Sequence, residues 1–174
     1  MANVHIRSEE PADYAAIRTV SEKAFGQQAE AKLVDALREA GDLLLSLVAV
    51  ESESDAVVGH IAFSRLKIVA DGKQVAGVSL APMAVLPTHQ RQGIGAQLVR
   101  EGVRQCAERG ESIVIVVGHP QYYPRFGFSS QLAETLQPPF EVPAEAWMAL
   151  SLRPDATDDV AGRVEYAAAF AALS

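Results

Sequence analysis

The feature that most constrains this chain is a pair of glycines, Gly93 and Gly95, at the predicted junction between a strand and a helix. The strand spans residues 74–85 and contains Pro82, which lacks a backbone N–H and therefore predicts a bulge or a splayed strand pair. The helix that follows keeps its apolar side chains on one face and ends at Gly110. Free N–H groups at the positive end of a helix dipole bind phosphate. The glycine loop, residues 90–95, is therefore a candidate phosphate site.

Three interpretations of the glycine loop compete. In the phosphate loop of nucleotide hydrolases, the last glycine is followed by Lys and then by Ser or Thr, whereas Gly95 is followed by Ala96 and Gln97. The dinucleotide fingerprint needs a third glycine where this chain has Leu98, so this pattern also fails. The third interpretation is a helix start that binds nothing. From these residues alone, a phosphate site and a ligand-free helix start both remain open.

The other segments predict an alternation of strands and helices. A short strand at 4–7 precedes two amphipathic helices, and the second helix ends at Gly41. Two apolar segments, 43–50 and 57–69, predict neighbouring strands, and Asp71-Gly72 predicts a tight hairpin turn after them. Further strands are predicted at 112–117, from Phe126-Gly127-Phe128 onward, and at 146–152.

Length, cysteine content and charge restrict the classes of protein to consider. A chain of 174 residues buries enough surface for one core, so we expect a single domain over 1–174. Its lone cysteine, Cys106, and an N-terminus unlike a signal peptide favour the cytoplasm. Its apolar segments are shorter than the roughly 20 residues that cross a bilayer. With a net charge of −7, we expect neither a nucleic-acid nor a membrane partner.

The charge is unevenly distributed along the chain. Residues 86–125 carry five arginines against three glutamates, and the rest of the chain is strongly acidic. This modestly basic segment contains the glycine loop. A phosphate-bearing cofactor therefore remains compatible with an acidic protein.

Three motifs follow one another in this chain, and together they resemble the GNAT N-acetyltransferases. The motifs are Pro82-Met83-Ala84-Val85-Leu86-Pro87, Gln90-x-x-Gly93-x-Gly95 and Tyr123-x-x-x-Gly127-Phe128. The resemblance covers a core of about 3–152. In the extension 153–174, Gly162-Arg163-Val164-Glu165-Tyr166 with Ala169-Phe170 resembles the bacterial YhbS-like branch. It implies an α+β GNAT fold, with a mixed, mainly antiparallel sheet, helices on both faces and a splayed central strand pair. It also implies an enzyme that uses acetyl-coenzyme A as cosubstrate.

The resemblance further implies where acetyl-coenzyme A binds. The splayed strand binds the pantetheine arm and the acetyl carbonyl in the resembled family, which corresponds here to Met83, Ala84 and Val85, with the Val85 N–H polarising the carbonyl. Backbone groups that lose their ladder partners can pair with an extended ligand instead. The pyrophosphate is expected over the glycine loop and the first helical turn, at Gln90, Arg91, Gln92, Gly93, Ile94, Gly95 and Ala96. Arg91 is alternatively an ordinary solvated charge.

Tyr123 corresponds to a tyrosine that, in many GNAT enzymes, protonates the departing coenzyme A thiolate. A phenol with a pKa of about 10 is protonated at neutral pH, and that value exceeds the thiol pKa of about 8.5. The alternative is that the ring only fills the core. The resemblance therefore makes Tyr123 the candidate catalytic acid, with Val85 as the second catalytic position.

The sequence indicates no single residue as the base that would deprotonate the acceptor amine. In the arylalkylamine-acetylating branch, two histidines occupy the positions of Ser79 and Ala81, and neither residue replaces imidazole. His60 and His119 are the remaining, weaker candidates, and a water relay is also open.

The function predicted is direct transfer of an acetyl group from acetyl-coenzyme A to a primary amine of a small molecule or a peptide terminus. The alternative is an acetyl-coenzyme A sensor or interaction module without turnover. Scattered histidines without paired cysteines predict no metal site. Cys106 shares the apolar helix face with Ile94 and Leu98, which predicts an inert thiol rather than a nucleophile. A homodimer is left open.

Overall fold

The computed structural model describes residues 3–173 of the protein. These residues form eight strands and three α-helices, joined in places by short 3-10 turns. In chain order they are β1 (Val4–Ser8), α1 (Tyr14–Phe25), α2 (Ala29–Ala40), β2 (Leu43–Glu51), β3 (Val57–Ala70), β4 (Lys73–Val85), α3 (Ile94–Glu108), β5 (Ile113–Val117), β6 (Leu136–Gln137), β7 (Trp147–Ser151) and β8 (Gly162–Tyr166). The predicted domain limits, residues 1 and 174, lie outside the described residues.

Strand pairing is mixed and mainly antiparallel. The pairs β1–β2, β2–β3, β3–β8 and β5–β7 are antiparallel, whereas β4–β5 and β6–β8 are parallel. The predicted α+β class with a mixed, mainly antiparallel sheet is confirmed. The chain divides into two compact units, and each consists of segments that are separate in the sequence.

The first unit contains, of the described residues, 3–64, 81–103 and 168–173. One face of its strands carries a buried cluster of Ile17 from α1, Val34 from α2, and Val48 and Val50 from β2. On the opposite face, a Cβ atom added to Gly59 would lie 3.2 Å from Ile94 and Leu98 of α3. Because successive side chains of a strand point to opposite faces, α1 and α2 cover one face and α3 covers the other.

The second unit contains residues 65–80 and 104–167. Its strand β5 lies between β4 and β7, with Val114 paired to Val78 on one side and to Leu150 on the other. The continuous apolar sequence of β5 follows from this position, since its first four side chains, Ile113 to Val116, are buried on both faces. The parallel β4–β5 ladder pairs Val78 with Val114 and Ser79 with Ile115. Strand β4 then continues to Val85, as a splayed pair requires.

The hairpin turn between β3 and β4 is confirmed at Asp71-Gly72. Both residues have positive φ, 50° and 76°, which is the conformation that a two-residue type I′ turn needs. The strand predicted from Phe126-Gly127-Phe128 is wrong. A 3-10 turn covers Tyr123–Phe126 and ends at Gly127 with φ 97°, and pairing there is limited to one bridge between Ser129 and Ala149.

None of the helices within residues 3–173 has the length and apolar character that a bilayer-spanning helix needs.

Candidate active site

The end of β4 presents backbone groups that point away from its neighbour β3. Leu86 donates its N–H to the Val58 carbonyl at 2.9 Å, which directs the Leu86 N–H toward β3. Because backbone groups alternate in direction along a strand, the N–H and C=O of Val85 point the other way. The Val85 carbonyl accepts a hydrogen bond from Gln90 Nε2 at 3.0 Å. Ala84 is buried, and Met83 and Val85 are half-buried.

The glycine loop leads directly into α3. The first helical hydrogen bond runs from Gln97 N–H to the Gly93 carbonyl at 3.1 Å. The N–H groups of residues 93–96 therefore have no partner inside the helix. Gly93 has φ 82° and is exposed, and a Cβ atom added to it would meet no heavy atom within 4 Å. These unpaired donors and the open space beside Gly93 fit a phosphate group.

The side chains of the glycine loop contribute unequally. Arg91 is exposed and adopts a positive φ of 65°, whereas Gln92 is half-buried. Ile94 is buried against β3, so only its backbone can face a ligand. Gly95 and Ala96 are half-buried and small, which lets a ligand approach the backbone closely. Gln90 joins the loop to the end of β4 through Val85, so the structure brings these two predicted segments together.

Tyr123 belongs to the second unit, where it starts the 3-10 turn Tyr123–Phe126. Its side chain is 8% exposed and packs edge to face against Tyr122 and Phe128, with ring centroids 5.1 and 5.7 Å apart. A Cβ atom on Gly118 would overlap the Tyr123 ring, which explains the glycine there. Burial raises the pKa of Tyr123 to about 12. Among residues 3–173, no hydrogen bond engages its hydroxyl, which therefore remains available as a donor.

His60 has a structural environment rather than that of a base. It is 1% exposed on β3, and its Nε2 lies 2.7 Å from the Ser46 hydroxyl oxygen. Ser46 donates its single proton to Glu9, so Nε2 of His60 must carry a proton and donate to Ser46. Burial lowers the pKa of His60 to about 4, although the charge of Glu9 acts to raise it. His60 is therefore neutral at pH 7 and has no free Nε2 lone pair.

His119 is exposed in the segment after β5. Its carbonyl accepts hydrogen bonds from the N–H groups of Tyr122 and Tyr123, at 3.0 and 3.3 Å. The backbone of His119 thus helps to fix the turn that carries the candidate acid, while its imidazole remains in solvent.

A buried polar network in the first unit was not predicted from the sequence. Arg38, at the end of α2, binds both carboxylate oxygens of Glu9 at 2.8 Å, and Glu9 accepts the Ser46 proton. Burial acts to raise the pKa of Glu9, but the hydrogen bonds from Arg38 and Ser46 outweigh it and lower that pKa. The signal in the sequence is weak, because Ser46 is one polar residue in the apolar segment 43–50.

Cys106 is fully buried, and burial raises the pKa of its thiol to about 12. A thiol with such a pKa forms almost no thiolate at neutral pH, which agrees with an inert role. In the part of the chain that the structure describes, no three His, Cys, Asp or Glu side chains are grouped as metal ligands would be.

Comparisons with known proteins match most of this chain. A family model described as an acetyltransferase (GNAT) domain matches residues 5–130. The uncharacterized N-acetyltransferase YhbS of Escherichia coli strain K12 is 38% identical over 161 residues, which cover 92% of this chain and 95% of that protein.

Two crystal structures extend the comparison to the fold. YhbS from Escherichia coli, in complex with CoA, superposes with a TM-score of 0.90 at 36% identity, covering 98% of this chain and 93% of that chain. A GNAT family acetyltransferase from Brucella melitensis, in complex with acetyl-CoA, gives a TM-score of 0.80 at 39% identity, with coverages of 98% and 99%. The residues 5–130 that the family model matches include β4, the glycine loop and Tyr123.

Proposed function

Because this chain belongs to the GNAT N-acetyltransferase family, we propose that it transfers an acetyl group directly from acetyl-coenzyme A to a primary amine. The acceptor is a small molecule or a peptide terminus. The observation that carries the proposal is the set of free N–H groups at the start of α3, joined through the Gln90 side chain to the Val85 carbonyl at the end of β4. Such an arrangement suits a ligand with a phosphate group at one end and an extended amide-bearing arm at the other.

The residues of the first unit would hold acetyl-coenzyme A. The N–H groups of residues 93–96 receive the pyrophosphate, and Arg91 adds a positive charge at its exposed edge. Met83 and Val85, whose backbone groups point away from β3, pair with the pantetheine arm as an added strand would, and Ala84 lies between them. Once bound, acetyl-coenzyme A supplies a thioester, whose carbonyl carbon is open to attack by an amine.

Two residues act on the reacting atoms. The Val85 N–H donates to the acetyl carbonyl oxygen and stabilises the negative charge that develops there. As the amine nitrogen forms its bond to the carbonyl carbon and the C–S bond breaks, Tyr123 donates its proton to the sulfur. The amine loses its own proton to water, since His60 is buried and its Nε2 already donates to Ser46.

We also propose that residues 1–174 act as one N-acetyltransferase domain, with a core of about 3–152 and the extension 153–174. A cytoplasmic location remains a prediction from the single cysteine.

The experiment that tests the proposed function combines binding with turnover. Calorimetric titration with acetyl-coenzyme A should show saturable binding, and thiol release should depend on an added primary amine from a panel of small amines and peptides. Binding without acceptor-dependent release would favour the alternative, a sensor or interaction module. If acetyl-coenzyme A does not bind, both functions are wrong.

A further inference from the structure

A pocket of about 630 Å³ lies in the second unit, on the connection between the Tyr123 turn and β7. Its size is within the range of small-molecule sites. It plays no part in the proposed handling of acetyl-coenzyme A. Its lining comes from one stretch of the chain, Ser130, Ala133, Glu134, Leu136, Gln137, Pro138, Val142, Ala144, Glu145 and Trp147.

The floor of this pocket is apolar and fixed. Ala133, Leu136 and Trp147 belong to the buried core of the second unit, and Val142 packs against that core. The indole Nε1 of Trp147 donates to the Leu136 carbonyl at 2.9 Å, which sets the orientation of the ring. Trp147 is 5% exposed, and Phe140 stands edge-on to it with centroids 6.1 Å apart. An apolar ligand would therefore meet a surface formed in advance, with little side-chain entropy to lose.

The rim of the pocket carries two carboxylates, those of Glu134 and Glu145. Glu134 and Glu145 are exposed, and neither carboxylate forms an ion pair or a hydrogen bond with another of the described residues. Glu111, by contrast, pairs with Arg65 at 2.7 Å in the same unit. The lining contains no lysine, arginine or histidine. The two carboxylates are thus the only charges on the lining, and they favour a cation over a neutral or anionic ligand.

We propose that this pocket binds a protonated organic amine attached to an apolar body. The ammonium group lies at the rim beside Glu134 and Glu145, and the apolar body lies on Trp147 and Leu136. Use of this amine as the acetyl acceptor is a separate step, and that step rests on the proposed function. Binding of the amine to the pocket does not depend on that function.

Trp147 provides a direct readout because it is the single tryptophan of the chain and forms part of the floor. The probe is cyclohexylmethylamine, which carries a charge at pH 7 and does not absorb where tryptophan is excited. Cyclohexylmethanol is the neutral control of the same shape. Both are titrated into the full chain without acetyl-coenzyme A. The amine should change the Trp147 emission saturably and bind at least tenfold more tightly than the alcohol.

Variants assign the charge preference to the rim. Glu134→Gln and Glu145→Gln should each weaken binding of the amine about three- to tenfold and leave binding of the alcohol unchanged. Glu141→Gln is the matched control, because Glu141 is exposed on the same connection but does not line the pocket, and its affinity should equal that of the wild type. Added salt should weaken binding of the amine and leave binding of the alcohol unchanged.

Three results would overturn the proposal: equal affinity for amine and alcohol, no saturable change of emission with the amine, or the same loss of affinity in Glu141→Gln as in Glu134→Gln. The readout separates this proposal from the proposed function. Amine binding without thiol release would refute acetyl transfer and leave the pocket assignment intact. Thiol release without any change in Trp147 emission would refute the pocket assignment and leave acetyl transfer intact.

Discussion

Replacing Tyr123 with Phe removes the one group assigned to protonate the leaving thiolate and little else. The ring packs against Tyr122 and Phe128 through its edges and faces, and the hydroxyl has no hydrogen bond among residues 3–173. The phenylalanine ring keeps these contacts. We therefore expect the free energy of unfolding to change by less than about 1 kcal/mol and the affinity for acetyl-coenzyme A to stay the same.

The pKa of Tyr123 determines how its proton can move. With a pKa of about 12, the phenol is about 3.5 units less acidic than a thiol of pKa about 8.5. Complete transfer to a finished thiolate would cost about 5 kcal/mol. The phenol must therefore donate while the C–S bond is breaking, when the sulfur charge is still developing. A positioned acid of this kind contributes about 10²- to 10⁴-fold, so we expect Tyr123→Phe to lower kcat by at least about 100-fold.

The assay compares two acetyl thioesters with saturating amine. One is acetyl-coenzyme A, and the other is an acetyl thioester of an aryl thiol, whose thiolate leaves without protonation. The deficit of Tyr123→Phe should be large with acetyl-coenzyme A and should nearly vanish with the aryl thioester. An unchanged kcat for the folded variant with acetyl-coenzyme A would refute the acid role. An equal deficit with both thioesters would show that the hydroxyl acts in some other way.

Two further predictions concern the first unit and the glycine loop. The unfolded chain binds a proton at His60 below its ordinary pKa of 6.5, whereas the folded protein excludes that proton down to about pH 4, so stability is lost as the pH falls through this window. Urea unfolding measures the free energy of unfolding at pH 7 and at pH 4.5. Between these pH values, His60→Gln should lose about 2–3 kcal/mol less of this free energy than the wild type. An equal loss in both proteins would contradict the lowered pKa of His60. Gly93→Ala and Gly72→Ala introduce the same strain, because both glycines have positive φ, 82° and 76°, with nothing within 4 Å of the new Cβ. Each variant should lose about 1 kcal/mol of stability. Only Gly93→Ala should also weaken acetyl-coenzyme A binding in calorimetry, by about tenfold. If the two variants bind acetyl-coenzyme A with equal affinity, the glycine loop is not part of the binding site.

Local features of the sequence predicted the parts of the fold that depend on local geometry. Asp71-Gly72 identified its turn because few residues tolerate positive φ at two successive positions. Gly93, which has a positive φ of 82°, located the start of α3 for a similar reason, together with the apolar period of the helix. The glycine loop was a candidate phosphate site from its own residues, whereas the roles of the residues at the end of β4 came from family resemblance, and all these roles remain predictions.

The buried network could not be predicted, because it depends on strand register. Ser46 and His60 become neighbours only when β2 and β3 pair Val48 with His60 and Ser46 with Ala62. A shift of one residue would turn Ser46 to the opposite face. The strand predicted from Phe126 was wrong for a different reason. Two aromatic residues around a glycine fit both a strand and a turn. The positive φ of Gly127 decided for the turn.

The pairing of β8 with β3 affects how the chain folds as it leaves the ribosome. Leu66 and Ile68 of β3 pair with Tyr166 and Val164 of β8, so this ladder closes only after residues 162–166 have been synthesised. Until then the second half of β3 carries an open edge with apolar side chains, which is a template for aggregation. The edge of β3 is therefore covered last, when β8, in the extension after residue 152, has been synthesised and pairs with it.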